Sequence, residues 1–199
     1  LDEEMLRPYF SLENVQGGIF YLANRLYGIT FQPIVAPLYH PEAIAYEVLD
    51  ADQSHLGVLY FDFFPRDGKS QGAWCGNYVE QTYRDGERVA PVVSIVCNFT
   101  RPVRNTPALL TLDETQTLFQ EFGHALHFLF HDVKYRGLTE VEGDFVELPS
   151  QIMENWAFEP EMLKQYAVHH RTGEVIPKYL VDKLRRSELF NLSLIHISE

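Results

Sequence analysis

The sequence predicts an α+β domain, mostly helical, in which a small antiparallel sheet precedes a helical region. Three observations predict it. Runs of β-branched and aromatic residues bounded by turn signals occupy roughly residues 40–100. From Thr111 onward the apolar residues recur at helical spacing instead. The 199 residues are enough for one domain with its own hydrophobic core.

The elements follow in order. Ser11 to Tyr27 reads as a helix, because Leu12, Val15, Ile19, Leu22 and Leu26 share one face and Gly28 stands where a C-terminal cap is expected. The pair Gly17-Gly18 argues against a helix in its middle. Ile44 to Leu49 and Leu56 to Phe63 read as strands joined by the turn at Asp50-Ala51-Asp52-Gln53-Ser54. A polar loop from Pro65 to Gly76 follows, then a further strand over Tyr78 to Tyr83 and the strongest strand signal, Val89 to Phe99. Thr111-Leu112-Asp113-Glu114 has the capping-box spacing, and the helix it opens runs through Leu118, Phe122, Ala125 and Leu129. Three more helices are expected: around Asp144 to Phe158, from Pro160 to Arg171 with Gly173 closing it, and from Pro177 to Phe190.

Composition narrows the class of partner. A net charge of -12 argues against nucleic acid, because phosphate binding needs a basic surface. The longest apolar runs, such as Pro91 to Phe99, fall short of a membrane span. Cys75 and Cys97 lack metal-type spacing and read as buried free thiols or one disulfide; a core this size needs no staple, which favours thiols. The chain opens at Leu1 inside polar helix-like sequence, with no signal peptide to read, and both ends look cut. The expected compartment is the cytoplasm, with the periplasm as the alternative.

The chemistry concentrates in Gln120-Glu121-Phe122-Gly123-His124 within the capped helix. Zinc peptidases carry His-Glu-x-x-His on a helix, where residues four apart share a face and two imidazoles grip one metal. The glutamate between them serves as general base toward a water. Here Glu121 and His124 fit the pattern and Gln120 stands in the first ligand position. Glutamate and histidine three apart on a helix are otherwise common as a solvated acid and a satisfied core histidine. Gly143 to Trp156 then places further carboxylates, Glu147 and Glu154, on a following helix.

These stretches together resemble the thimet oligopeptidase family. Phe119 to His127 and Asp144-Phe145-Val146-Glu147-Leu148-Pro149-Ser150-Gln151 carry the resemblance, most closely to its bacterial peptidyl-dipeptidase (dipeptidyl carboxypeptidase) branch, with oligopeptidase A nearby. His55 to Asp62, Gly72-Ala73-Trp74-Cys75-Gly76 and Asn98-Phe99-Thr100-Arg101-Pro102 extend it over the sheet region. The resemblance implies a zincin-like catalytic-domain fragment over residues 1–191, with a metal-helix region at about 111–158. It implies one zinc ion, with His124 and Glu147 as ligands and Glu121 as the general base, acting on short peptides and releasing C-terminal dipeptides. Glu154 and His127 are the candidates for supporting the ligands from behind. Taken alone, Glu147 reads as a carboxylate at a helix N-terminus and Glu154 as a polar helix residue.

Three departures from the family matter. Gln120 offers an amide oxygen where zinc expects an imidazole nitrogen. His127, three residues from His124, would be the obvious substitute, but the family already has a histidine there that does not bind the metal. The family's substrate-holding tyrosines and histidine are expected after the last residue of this sequence, and residues 192–199 read as a non-native tail. The expectation is therefore a metallopeptidase with an impaired site. The alternatives are a non-catalytic remnant that binds peptides along a sheet edge, or helices that serve only as scaffold.

Overall fold

A computed structural model describes residues 3–195, with side chains described as far as 187. After two short 3-10 turns the elements are α1 (Leu12–Tyr27), β1 (Thr30–Ile34), β2 (Ile44–Leu49), β3 (His55–Asp62), β4 (Trp74–Val79), β5 (Thr82–Arg84), β6 (Glu87–Val89) and β7 (Val92–Val96). Helices α2 (Leu112–Leu129), α3 (Leu148–Glu154), α4 (Pro160–Tyr166) and α5 (Lys178–Ile195) complete the chain. Of the expected tail, residues 192–195 continue α5, and residues 196–199 lie outside the described residues.

Local chemistry accounts for α1 and α2. Ser11 caps α1 by accepting from the Asn14 N–H, and Gly28 closes it in the left-handed conformation at φ 75°. The glycine pair does not break α1. Gly18 instead makes room for a neighbour, since a Cβ there would lie 2.7 Å from the ring of Tyr166 on α4. At the start of α2 the capping box forms in both directions: Thr111 accepts from the Glu114 N–H at 3.0 Å, and the Glu114 carboxylate accepts from the Thr111 N–H at 2.9 Å.

The sheet is mixed, which corrects the expected antiparallel one. Its order is β1-β2-β3-β7-β4, and β3 and β7 run parallel in the register Val58↔Val92 to Asp62↔Val96. The chain leaves β3, forms β4 and the separate β5-β6 hairpin, and returns to insert β7 between β3 and β4. A parallel pair needs a long crossover, and the stretch between Asp62 and Val92 supplies it. The single strand expected over Val89 to Phe99 is divided at Pro91, which has no N–H to give a ladder. β1 was not expected at all. It contains Pro33, which an edge strand tolerates.

The helices also end differently. α3 is confined to Leu148–Glu154, because Pro149 belongs in a first turn, where a missing N–H costs nothing. α4 stops at Tyr166. Val168 and Val175 then form a β-bridge around a turn closed at Gly173, φ 73°.

One core joins these layers. α1 contributes Val15, Ile19 and Leu22, the sheet Leu59, Phe61, Val93 and Ile95, and α2 Leu118, Phe119, Phe122, Ala125 and Leu129. Phe20 stacks on Phe31 of β1 at 4.1 Å and lies 6.4 Å from Phe122, so α1, the sheet edge and α2 meet in one aromatic cluster. The polar loop after β3 is fastened by Asp62, which is 1% exposed and paired with Arg66 at 2.8 Å on both carboxylate oxygens and with Lys69 at 2.9 Å. Burial alone would raise the Asp62 pKa, but Arg66, Lys69 and Tyr39 outweigh it and hold the carboxyl down at about 2.

Candidate active site

α2 carries three of the four residues that matter. It is unbroken from Leu112 to Leu129, so Gln120 and His124, four apart, share one helical face. Glu121 is turned inward and is 8% exposed. Its charge is, after burial, the next cause raising the pKa values of Cys75 on β4 and Cys97 just after β7. Both cysteines are free thiols, the alternative the sequence favoured. Cys97 is buried and Cys75 partly so, and with their pKa values pushed upward both are poor nucleophiles.

α3 brings the fourth residue. A close crossing makes this possible: a Cβ on Gly123 would lie 2.5 Å from the Pro149 carbonyl oxygen and 2.6 Å from Ser150 Cα. Only a glycine lets the backbone of α3 rest on α2 at that point. The crossing sets Glu147, the N-cap residue of α3, opposite α2, and Glu147 Oε2 lies 3.3 Å from His124 Nε2. Two ligands of one tetrahedral zinc, each bonded at about 2.0–2.2 Å, stand about 3.3–3.5 Å apart. The donors therefore fit one ion at two corners. Among the described residues no group of three His, Cys, Asp or Glu side chains could hold a metal, and the remaining position on the His124 face of α2 belongs to Gln120.

The other candidates are placed as follows. Glu154 accepts a hydrogen bond from Gln116 Nε2, one turn before Gln120, and so it is tied to α2. His127 packs 4.8 Å from the His131 ring and 6.1 Å from Phe145, and it lines an apolar groove of about 300 Å³ with Leu126, Phe130 and Ile152. Burial, then the neighbouring His124, lowers its pKa. Ser150 did not figure among the candidate residues. It is fully buried, and its hydroxyl lies 3.0 Å from Glu147 Oε2. Its spacing of three from Glu147, just after the proline of α3, was the available signal.

The electrostatics of Glu121 can be tested directly. Burial, then the Glu147 charge, raises its pKa from 4.5 to about 7. Below pH 4.5 the carboxyl is protonated in both folded and unfolded chains and contributes nothing. As pH rises from 4.5 to about 7 the unfolded chain releases this proton and the folded chain keeps it, so stability falls. Above 7 the loss is complete. Glu121→Gln is expected to match the unmodified chain below pH 4.5 and to exceed it in stability above pH 7, by roughly 1–3 kcal/mol. Urea midpoints at pH 4.5, 6 and 8 check this, and a constant difference across pH would contradict it.

The comparisons with known proteins agree on one assignment. The profile described as Peptidase family M3 matches residues 1–198. Dipeptidyl carboxypeptidase of Salmonella typhimurium is 47% identical over 195 residues, which is 96% of this chain and 28% of the relative. Oligopeptidase A of Escherichia coli is 40% identical over 98% of this chain and 29% of its own length. Thimet-like oligopeptidase of Dictyostelium discoideum is 34% identical over all of this chain and 31% of its own. The chain thus spans less than a third of the length of these relatives. Among the described residues no helix is long and apolar enough to cross a membrane. With a profile match along nearly its whole length and relatives above 40% identity, this chain belongs to peptidase family M3.

Proposed function

We propose that the chain is the metal-helix portion of a zinc-dependent peptidase that hydrolyses short peptides and releases C-terminal dipeptides, with its metal affinity reduced by Gln120. The observation that carries the reading is the 3.3 Å approach of His124 Nε2 and Glu147 Oε2 from two different helices, beside a buried carboxylate on the same α2. The family and the names of the relatives support peptide hydrolysis as the reaction. Zinc, when bound by His124 and Glu147, supplies a Lewis acid that polarises the scissile carbonyl and the attacking water. Glu121 takes the proton from that water as its oxygen bonds to the carbonyl carbon. As the C–N bond breaks, Glu121 passes the proton to the departing amine.

A peptide-binding remnant is the second reading. Among the described residues β4 pairs with β7 on one side only, which leaves a sheet edge for an added strand. One experiment separates the two. Zinc is titrated into the chain and into His124→Ala and Glu147→Ala, with elemental analysis after dialysis. Zinc uptake that falls at least tenfold in both variants supports the metal centre. Unchanged uptake in both excludes it.

A further inference from the structure

We propose that Ser150 is a positioning residue that holds the Glu147 carboxylate toward His124, so that the two-donor clamp is set before any ion arrives. The inference rests on reading His124 and Glu147 as metal ligands, and it adds a residue that this reading does not contain.

Glu147 has little else to hold it. Its side chain is 51% exposed, and as the N-cap residue it makes no capping hydrogen bond to the first turn of α3. A glutamate that exposed ordinarily samples several rotamers, and fixing them costs conformational entropy. Ser150 supplies a buried restraint. Its hydroxyl lies 2.7 Å from the Glu147 carbonyl oxygen and 3.0 Å from Glu147 Oε2, and the second of these is the oxygen that faces His124. One hydroxyl has one proton, so the two oxygens share it. The carbonyl already accepts from the Gln151 N–H at 2.9 Å, whereas an ionised carboxylate gains more from a donor than a neutral oxygen does.

Ser150 is itself immobile. It is 0% exposed and its Cα sits at the point where α3 rests on Gly123. The same crossing that brings Glu147 to α2 therefore also fixes the donor that aims it. Removing the hydroxyl leaves the carbonyl bonded to Gln151 and the carboxylate free to take up water. The fold then has little reason to change, and the clamp has lost its restraint.

The test titrates zinc alone into the unmodified chain and into the Gln120→His chain, each with Ser150, Ser150→Ala or Ser150→Thr. Ser150→Ala is expected to weaken zinc binding about tenfold, at the lower end of what such supporting contacts contribute. The melting temperature of the zinc-free chain should stay unchanged, and Ser150→Thr, which keeps a hydroxyl, should restore the affinity. Equal affinities in Ser150 and Ser150→Ala chains overturn the proposal. So does a lower zinc-free melting temperature with an affinity that threonine does not restore, because that result describes a packing role only. If the Gln120→His chain with Ser150 intact takes up no zinc, the metal-centre reading fails first and this proposal with it.

Discussion

Replacing Gln120 with histidine should tighten zinc binding by more than ~100-fold, since even contacts behind a ligand are worth ~10–100-fold and this change concerns a ligand position itself. The reason is the donor set. His124 and Glu147 present one imidazole nitrogen and one carboxylate oxygen 3.3 Å apart, and the residue four positions before His124 on an unbroken helix is an amide. An imidazole at that position completes the two-histidine, one-glutamate set that leaves one corner open for water. No rearrangement of the backbone is needed, because α2 is continuous through both positions and α3 already rests against it. Competition against a chromophoric chelator, with elemental analysis after dialysis, measures the change. Tight one-to-one zinc in the unmodified chain would show that Gln120 or His127 serves as a full third ligand, and the reading of a weakened site would be wrong. Zinc uptake is a better readout than hydrolysis, because the chain spans less than a third of the length of its relatives.

Gly123→Ala should destabilise the chain by about 3 kcal/mol and abolish what zinc affinity it has. The added methyl carbon would meet the Pro149 carbonyl oxygen at 2.5 Å and Ser150 Cα at 2.6 Å, both of them backbone positions that cannot turn aside as a side-chain tip can. α3 must move off α2, and Glu147 leaves His124 with it. In a chain of this size such a loss lowers the melting temperature by about 6–12 °C. The zinc titration then distinguishes the site from the fold. A variant that melts lower but binds zinc as before would show that Glu147 does not depend on the crossing, contrary to the geometry.

The sequence alone determined what depends on neighbours along the chain. The caps at Ser11, Gly28 and Thr111 set the ends of α1 and the start of α2, and runs rich in β-branched and aromatic residues marked β2 and β3. The spacing of Gln120, Glu121 and His124 needed only a helix to put the first and third on one face, and the family resemblance followed from short contiguous stretches. What it did not determine is set by segments distant in the chain. β1 escaped notice because Pro33 spoils a strand signal, yet an edge strand has no use for that N–H on its open side. The parallel pairing of β3 with β7 depends on a strand arriving from far down the chain, which no local pattern announces. The raised pKa of Glu121 comes from burial against the sheet and from the Glu147 charge, neither of which is local to α2. Most of all, the meeting of His124 and Glu147 was decided by tertiary structure. A helix face says which residues point together, but only the missing side chain of Gly123 lets a second helix come close enough to complete the pair.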